Sequence, residues 1–553
     1  MFDNSFNLGV YGAQGVFFPT GSINDFRGLD AAGEAALVAN YQSQFNAAIA
    51  ANNSLNSNGT GNPGGWALAE TNVGQLAFYL QDEWEATDDI KFTVGIRFDK
   101  PLFFDTAEKA QDVIDNACCF NPNAEYFNPN TGQTTTLDNR KMPTDVWLIS
   151  PRFGFNWDVN GEKKLQLRGG TGLFTGRLPF VWLGNQIANP NTFFLQMVDP
   201  DFQFPQVWRT NIGADYKFEN GWVVSGDISY TQDINGAHVQ NWGLNNPSGT
   251  LNTTFDQRPV YTSADKAANA AYVFTNSDKG RTYNFAAKVE KSFENGLYAN
   301  VAYSYLNSKD VNSIEAEITG DAWNFNPSLG NVNNDVLSYS RYGDTHRIIG
   351  VASKQFTYGG DKYATTISTF FEYARGGRFS YTYAGNINGD DANFGDGSRN
   401  DLIYIPTDAE IDQMNFDTSS GNSVNDQREG LKDYIAQDDY LSERRGQYAE
   451  RYGALAPWRS RWDVKILQDF NFNVSENKKN TIQLSLDILN VGNLINSEWG
   501  SVQQVGNVQP IGVSVDNTNT PTYTFDPSQT ETFVYDTSLL SRWQMQLGLR
   551  YIF

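Results

Sequence analysis

The last thirteen residues of the chain alternate between apolar and polar side chains. One set is Trp543, Met545, Leu547, Leu549, Tyr551 and Phe553, and the other is Arg542, Gln544, Gln546, Gly548 and Arg550, with Ile552 as the one apolar exception. Because successive side chains of a β-strand point to opposite faces, this segment predicts a strand with one apolar face and one polar face. Such a strand is typical of a membrane β-barrel wall.

The same period of two recurs along the chain and predicts thirteen strands. We expect them near residues 73–86, 90–99, 146–158, 163–174, 207–219, 222–234, 281–294, 296–308, 343–357, 362–383, 459–473, 480–491 and 541–553. The fold class is therefore all-β. Because thirteen is odd and the first strand follows a long connection, an upstream partner strand is implied, and residues 6–10 are the candidate for its end.

The connections alternate between short turns and long loops. The turns include Asn220-Gly221 and Asn295-Gly296, and Asn-Gly is a strong hairpin signal that predicts positive φ at both positions. The long connections cover residues 100–145, 175–206, 235–280, 309–342, 384–458 and 492–540. This alternation predicts an antiparallel transmembrane β-barrel, here about thirteen strands of a larger one, with short periplasmic turns and long extracellular loops.

Composition excludes several other classes of protein. No run of about 18 consecutive apolar residues occurs, which excludes helical membrane spans, whereas 14% aromatic residues can supply the girdles of a barrel. The net charge of −23 argues against a nucleic-acid partner, because phosphate binding needs a basic surface. With His238 and His346 as the only histidines and no hydrolase or phosphate-loop motif, we expect no enzymatic activity.

Two domains are expected. Residues 1–70 predict a partial strand and an extracellular loop with a short helix, from the helical spacing of Val38, Tyr41, Phe45 and Ile49. Residues 71–553 predict the barrel part, whose large loop 384–458 carries a helix because Leu431, Tyr434, Ile435 and Leu441 are helically spaced. The first residues lack the basic start and apolar core of a signal peptide, so we expect the sequence to begin inside a longer protein.

Residues 386–401 are rich in glycine and in oxygen-bearing side chains. Asn386, Asn388 and Asp390 match the first, third and fifth positions of a calcium-binding loop. Asp391 stands where such a loop needs glycine, and Gly397 where it needs a bidentate glutamate. The segment predicts a Ca²⁺ site in an extracellular loop or, as the alternative, a solvated loop rich in turns. No other cofactor is expected.

Aromatic side chains cluster in the second long connection and directly after it. They include Phe180, Trp182, Phe193, Phe194 and Trp208. Exposed aromatic rings can stack on sugars or peptides, so these residues are candidate ligand contacts. The alternative is that the loop packs on itself as a lid.

Four segments carry a resemblance to a known family. Residues 174–186, 400–406, 445–451 and 485–495, which include Asn400-Asp-Leu-Ile-Tyr-Ile-Pro406, resemble the C-terminal barrel part of TonB-dependent outer-membrane receptors. The most similar group is the Oar-like receptors of Bacteroidetes, which carry a carboxypeptidase-regulatory-like domain. The resemblance implies a barrel of about 22 strands with a plugged lumen. It also implies that Trp543, Leu549, Tyr551 and Phe553 form the signal that the barrel assembly machinery recognises.

The function implied by this resemblance is uptake of a large or scarce solute across the cell outer membrane of a Gram-negative bacterium. Its expected partners are outer-membrane lipid, the barrel assembly machinery, a surface lipoprotein, and the TonB complex, which would act through a plug that this sequence does not contain. The alternative is a non-transporting outer-membrane barrel that serves as a porin or an adhesion platform.

Overall fold

Thirteen long strands dominate the computed structural model. It describes residues 29–40, 42–43, 71–114, 121–188, 194–267, 269–314, 318–343, 345–390, 400–475 and 478–553, and the backbone alone at 2–3, 68–69, 112–114, 188, 194, 475 and 478. The strands are β1 Gly74–Thr87, β2 Ile90–Leu102, β3 Leu148–Val159, β4 Leu165–Thr175, β5 Gln206–Lys217, β6 Trp222–Asp233, β7 Arg281–Ser292, β8 Leu297–Asp310, β9 His346–Tyr358, β10 Tyr363–Arg375, β11 Trp458–Ser475, β12 Lys478–Leu489 and β13 Gln544–Ile552. All thirteen predicted strands are confirmed, although β10 ends eight residues earlier than expected.

The strands follow one another in a single sheet in chain order. Each pairs antiparallel with its predecessor, from β1 to β13. Within the described residues the sheet does not close, and β1 and β13 are its two edges. Neighbouring strands run in opposite directions, so β1 and β13, which have eleven strands between them, run the same way along the sheet.

One face of the sheet is apolar across every strand. Between β12 and β13, Leu484 pairs with Leu549 and Leu486 pairs with Leu547. Leu547 and Leu549 are 80% and 74% exposed, which is unfavourable in water but suits a surface that lipid covers.

Aromatic rings border this apolar face at both ends of the strands. Near the long connections, Tyr373 stacks on Trp458 with ring centroids 4.6 Å apart. Near the short turns, Trp222 lies 5.9 Å from Phe293. Two such bands with aliphatic residues between them match the girdles of an outer-membrane barrel at the two lipid–water interfaces.

The short turns use glycine in a way that corrects one expectation. At Gly221 and Gly296 φ is +84° and +79°, but the preceding asparagines keep negative φ. Gly221 N–H donates to Phe218 O at 3.0 Å, and Phe218 N–H to Trp222 O at 2.8 Å. These bonds define a type I turn followed by one left-handed residue, so only the glycine needs positive φ.

The long connections fold together into a cap at one end of the sheet. Its helices are Thr106–Ile114, Phe180–Ala188, Thr319–Asn324, Asp408–Ile411, Val424–Gln437, Asp439–Ser442 and Val491–Ile495, and its strands of three or more residues are Glu125–Asn128, Gln133–Thr136, Phe194–Val198, Gly236–Asn241, Ala270–Ser277, Gln503–Val505, Ile511–Val515, Pro521–Phe525 and Phe533–Tyr535. The largest apolar core joins residues from three connections, including Leu251, Ile405 and Tyr523. The cap is therefore a packed body, in which loops distant in sequence stabilise one another.

The helix predicted in loop 384–458 is confirmed. Leu431, Tyr434 and Ile435 lie on the buried side of the helix Val424–Gln437, and Leu441 is buried in the next short helix. Near the amino terminus, residues 31–40 are helical. The remaining expectations for this region, at residues 6–10, 41, 45 and 49, lie outside the described residues.

Among the described residues, no helix is both long enough and apolar enough to cross a membrane.

Candidate functional site

The second face of the sheet is polar and carries paired charges on neighbouring strands. Arg168 of β4 contacts Asp215 of β5 and donates to Asp227 of β6 at 2.7 Å. Further along the sheet, Lys465 Nζ lies 2.8 Å from Asp487 Oδ1. Charges that are matched in this way can line a polar lumen without attracting one sign of solute strongly.

A cavity of about 440 Å³ lies in the cap. Among the described residues its lining contains two cations and several uncharged polar or aromatic side chains, and no carboxylate: Phe325, Pro327, Arg341, Arg378, Phe379, Ser380, Thr382, Tyr452, Val508 and Gln509. The lining comes from five separate stretches of the chain. A cationic and aromatic cavity in a protein of net charge −23 is suited to an anionic solute that also carries flat or apolar groups.

Arg378 is fixed at the wall of this cavity by uncharged groups. Its Nη1 donates to Tyr452 O at 3.0 Å, and its guanidinium carbon lies 3.9 Å from the centroid of the Tyr339 ring. Burial lowers the pKa of Arg378. Because the ordinary pKa of arginine lies far above neutral pH, the side chain stays charged. A guanidinium held this way keeps donor capacity for a ligand.

Tyr452 holds a strained conformation at the same place. Its φ is +51°, in the left-handed region that costs a bulky residue about 1–3 kcal/mol. Tyr452 N–H donates to Ser380 Oγ at 2.7 Å, which fixes the carbonyl group that binds Arg378. Strain of this kind occurs frequently in ligand-binding regions.

A buried ion pair stabilises the neighbouring part of the cap. Arg258 Nε donates to both carboxylate oxygens of Asp256 at 3.0 Å, and neither residue is more than 1% exposed. The guanidinium lies over the rings of Tyr383 and Tyr448 at 5.3 and 5.4 Å, and Tyr448 OH donates to Asp256. Burial has the largest single effect and opposes the charged form of Arg258, but Asp256, Tyr383 and Asp401 together outweigh it and raise its pKa. The pair ties two connections together, the one between β6 and β7 and the one between β10 and β11.

The predicted calcium residues lie close together in a tight turn. Asn386 Oδ1 accepts hydrogen bonds from the N–H groups of Gly389 and Asp390 at 2.7 and 3.2 Å. Asp390 Oδ2 accepts from Asn400 Nδ2 at 2.8 Å, and Asn388 is fully buried. Within the described residues no cluster of three His, Cys, Asp or Glu side chains suits a metal ion. The calcium site remains a prediction.

The aromatic candidates are distributed differently from the expectation. Trp182 is 7% exposed and its ring stacks on Phe274 with centroids 3.7 Å apart, so it is a core residue and not an exposed contact. Phe180 packs against the same core, whereas Trp208 lies on the apolar face of β5. For Phe194 the backbone strand is described, and Phe193 lies outside the described residues. The alternative, a loop that packs on itself, fits Trp182 and Phe180.

The residues of the terminal strand are exposed on the apolar face. Trp543, Leu549 and Tyr551 are 44%, 74% and 53% exposed. Phe553 follows the strand, and its ring lies 5.8 Å from that of Tyr551. This arrangement leaves the aromatic terminus accessible to a partner.

The sequence did not identify the cavity residues. Arg341 and Arg378 belong to no motif. Arg341 lies near the end of the connection between β8 and β9, and Arg378 near the start of the connection between β10 and β11. The Gly376-Gly377 pair could have indicated that β10 ends there and that the following residues, including Arg378, belong to the cap.

Part of the chain matches a known family. Residues 15–193 match the model of a family described as an outer membrane beta barrel domain. No curated protein matches the sequence. Among solved structures, the outer membrane transporter YddB from Escherichia coli is similar over 87% of this chain and 45% of its own, with 13% identity and a TM-score of 0.42. BauA, the ferric preacinetobactin receptor from Acinetobacter baumannii, is similar over 87% of this chain and 43% of its own, with 10% identity and a TM-score of 0.39.

The chain thus spans less than half the length of these two structures. The match to a barrel domain, the antiparallel sheet in chain order and the continuous apolar face between two aromatic bands agree with one another. The fold of the described residues is that of an outer-membrane β-barrel wall.

Proposed function

We propose that this protein takes up a large or scarce solute across the outer membrane as part of a TonB-dependent receptor. The observation that carries the proposal is the cationic and aromatic cavity in a cap that covers one end of a polar, ion-paired sheet face. Arg341 and Arg378 capture the solute, and the polar face then lines its path. The resemblance of four sequence segments to TonB-dependent receptors supports the same role.

The open sheet supports a role as one part of a larger barrel. Unpaired N–H and C=O groups along β1 and β13 would each cost several kcal/mol in lipid, so further strands must complete the wall. Since both edge strands run the same way, antiparallel closure needs an odd number of added strands. We propose that residues 71–553 supply the C-terminal part of this wall and residues 1–70 a loop and partial strand before it. A plug would transmit force from the TonB complex.

We also propose that the barrel assembly machinery recognises the terminal strand through Trp543, Leu549, Tyr551 and Phe553. Deletion of Phe553 should reduce the amount of heat-modifiable protein in the outer membrane. Leu540→Ala is the control, because Leu540 is exposed but precedes β13. Normal assembly after deletion of Phe553 would contradict this role.

Solute depletion tests the uptake proposal. Cells with and without the gene are given a mixture of carboxylated, phosphorylated and neutral solutes, and the loss of each from the medium is followed by mass spectrometry. We expect gene-dependent loss of anionic solutes that stops when the proton gradient of the inner membrane is collapsed. Arg378→Met should reduce this loss, whereas Arg445→Gln, a change of an arginine elsewhere in the cap, should not.

The result also separates the two candidate functions. Gene-dependent flux that continues without the proton gradient would support a porin and contradict TonB-dependent uptake. Absence of any gene-dependent loss, with normal amounts of protein in the membrane, would refute both forms of transport.

A further inference from the structure

Cationic side chains gather at the rim of the apolar face, where the wall meets the cap. Among the described residues these include Arg281 at the start of β7, Lys309 near the end of β8 and Arg375 at the end of β10. Arg378 of the cap cavity lies three residues after Arg375. They lie at the same end of the strands as the aromatic band that contains Tyr373 and Trp458. This end of an outer-membrane wall is the level of the lipid headgroups.

Two of these cations oppose each other directly. In the register of β7 and β8, Arg281 pairs with Lys309. On the same face, the next two pairs are Tyr283 with Asn307 and Phe285 with Tyr305. Directly opposed residues share a face, so both charges lie on the apolar side of the sheet. Like charges in this position destabilise a sheet unless a counter-charge neutralises them.

The described residues supply no such counter-charge within ion-pair distance. The carboxylate of Asp310 belongs to the opposite face and pairs with Arg451 at 3.3 Å. Glu450, which acts on Arg378 at longer range, is bound by Arg444 at 2.8 Å. Among the described residues, the cationic rim therefore has no carboxylate that neutralises it.

Aromatic rings hold these cations in place. The Tyr339 ring lies between Lys309 and the cavity residue Arg378, with Lys309 Nζ at 4.6 Å and the guanidinium carbon of Arg378 at 3.9 Å from its centroid. Arg375 lies 6.0 Å from the ring of Trp458, which stacks on Tyr373. The rings restrain the long side chains, which lowers the entropy cost of binding a ligand.

We propose that this rim binds the phosphate groups of an anionic lipid in the outer leaflet. Phosphate oxygens accept charge-assisted hydrogen bonds from arginine and lysine, and acyl chains of the same molecule can cover the apolar face below. A phosphorylated lipid therefore satisfies the opposed pair Arg281 and Lys309 and the neighbouring apolar surface together. A free phosphate would satisfy only the charges.

The other end of the same face provides a matched control. Lys291 of β7 and Lys354 of β9 also lie near aromatic rings, at 4.8 Å from Phe293 and 5.0 Å from Phe356. Their cross-strand partners are uncharged, since Lys291 pairs with Ala299 and Lys354 with Leu297 and Ile367. This end therefore has lysines without a cationic cluster.

Lipid binding by the protein isolated from outer membranes in mild detergent tests the proposal. Affinity for a diphosphorylated lipid A is measured for the unchanged protein, for Arg281→Gln/Lys309→Gln and for Lys291→Gln/Lys354→Gln. Near a membrane surface each basic residue contributes about 1 kcal/mol, so the first double variant should bind about thirtyfold more weakly. The second should bind like the unchanged protein.

Three results would overturn the proposal. They are equal affinity in the first double variant, an equal loss in the control, and equal binding of lipid A from which the phosphates have been removed. Inorganic phosphate is a further probe, because displacement of the lipid at low millimolar concentration would identify a site for a free anion and not for a lipid. Heat-modifiable migration of both variants confirms that each is folded.

Discussion

Removing one partner of the buried ion pair in the cap should destabilise the cap strongly. Asp256→Ala leaves the guanidinium of Arg258 buried without its carboxylate and removes the acceptor of the Tyr448 hydroxyl. Breaking a buried pair from one side costs about 3–5 kcal/mol. Because Asp256 and Tyr448 come from different connections, we expect this loss in the opening of the cap and not in the wall.

The double variant Asp256→Ala/Arg258→Met provides the decisive comparison. Replacing both charges with apolar groups removes the desolvation cost as well as the attraction, so the double variant should recover all but about 1–2 kcal/mol. Glu429→Gln is the control, because its ion pair with Lys432 is exposed and should leave cap opening unchanged.

Native-state hydrogen exchange measures the free energy of cap opening directly. Amides of the helix Val424–Gln437 report on the cap, and amides of β12 report on the wall. A loss below about 1 kcal/mol in Asp256→Ala, or a double variant no more stable than the single one, would refute the assignment of this pair as the element that ties the connections together.

Other predictions concern the faces of the wall, the pH dependence of the cap and the calcium loop. Leu549→Arg should cost about 2–4 kcal/mol and lower the heat-modifiable fraction, whereas Gln546→Arg on the polar face should not; equal effects would contradict the facing. Burial raises the pKa of Asp265, but four hydrogen bonds outweigh it and lower the pKa below 3.8. Its stabilisation is therefore present at neutral pH and lost as the pH falls through the lowered pKa. Asp265→Asn should increase proteolysis of the cap at pH 7, and this increase should shrink steadily as the pH falls below 3.8; an effect that stays constant as the pH falls would refute it. The calcium prediction requires that EGTA increase proteolysis within residues 384–458 and that Asp390→Asn remove this effect; an unchanged digest would refute it.

The wall could be predicted from the sequence because each strand carries its own signal. The period of two and the alternation of short and long connections are local properties, and a strand such as Gln544–Ile552 satisfies them without help from distant residues. β10 was predicted eight residues too long, to residue 383, because residues after Arg375 also suit a strand. In the structure Arg378 and Phe379 instead pair with Leu455 and Ala454, in a separate ladder.

The cap could be predicted only in part, because its contacts join residues far apart in the chain. The helical spacing around Leu431 is local, so the helix was found. The hydrogen bond from Tyr448 to Asp256 spans 192 residues, and neither residue has a neighbour that indicates the other. For the same reason the sequence left open whether Trp182 is an exposed contact or part of a packed loop, since its partner Phe274 belongs to another connection.

The central claim is that this chain forms a barrel wall with one face in lipid and the other in water. Single cysteines placed at each position from Gln544 to Ile552, in a background without the native cysteines, test it in intact outer membranes with a water-soluble thiol reagent. The account predicts alternation, with labelling at positions 544, 546, 548 and 550 and protection at 545, 547, 549 and 551. Uniform labelling, or protection with a helical period, would contradict it.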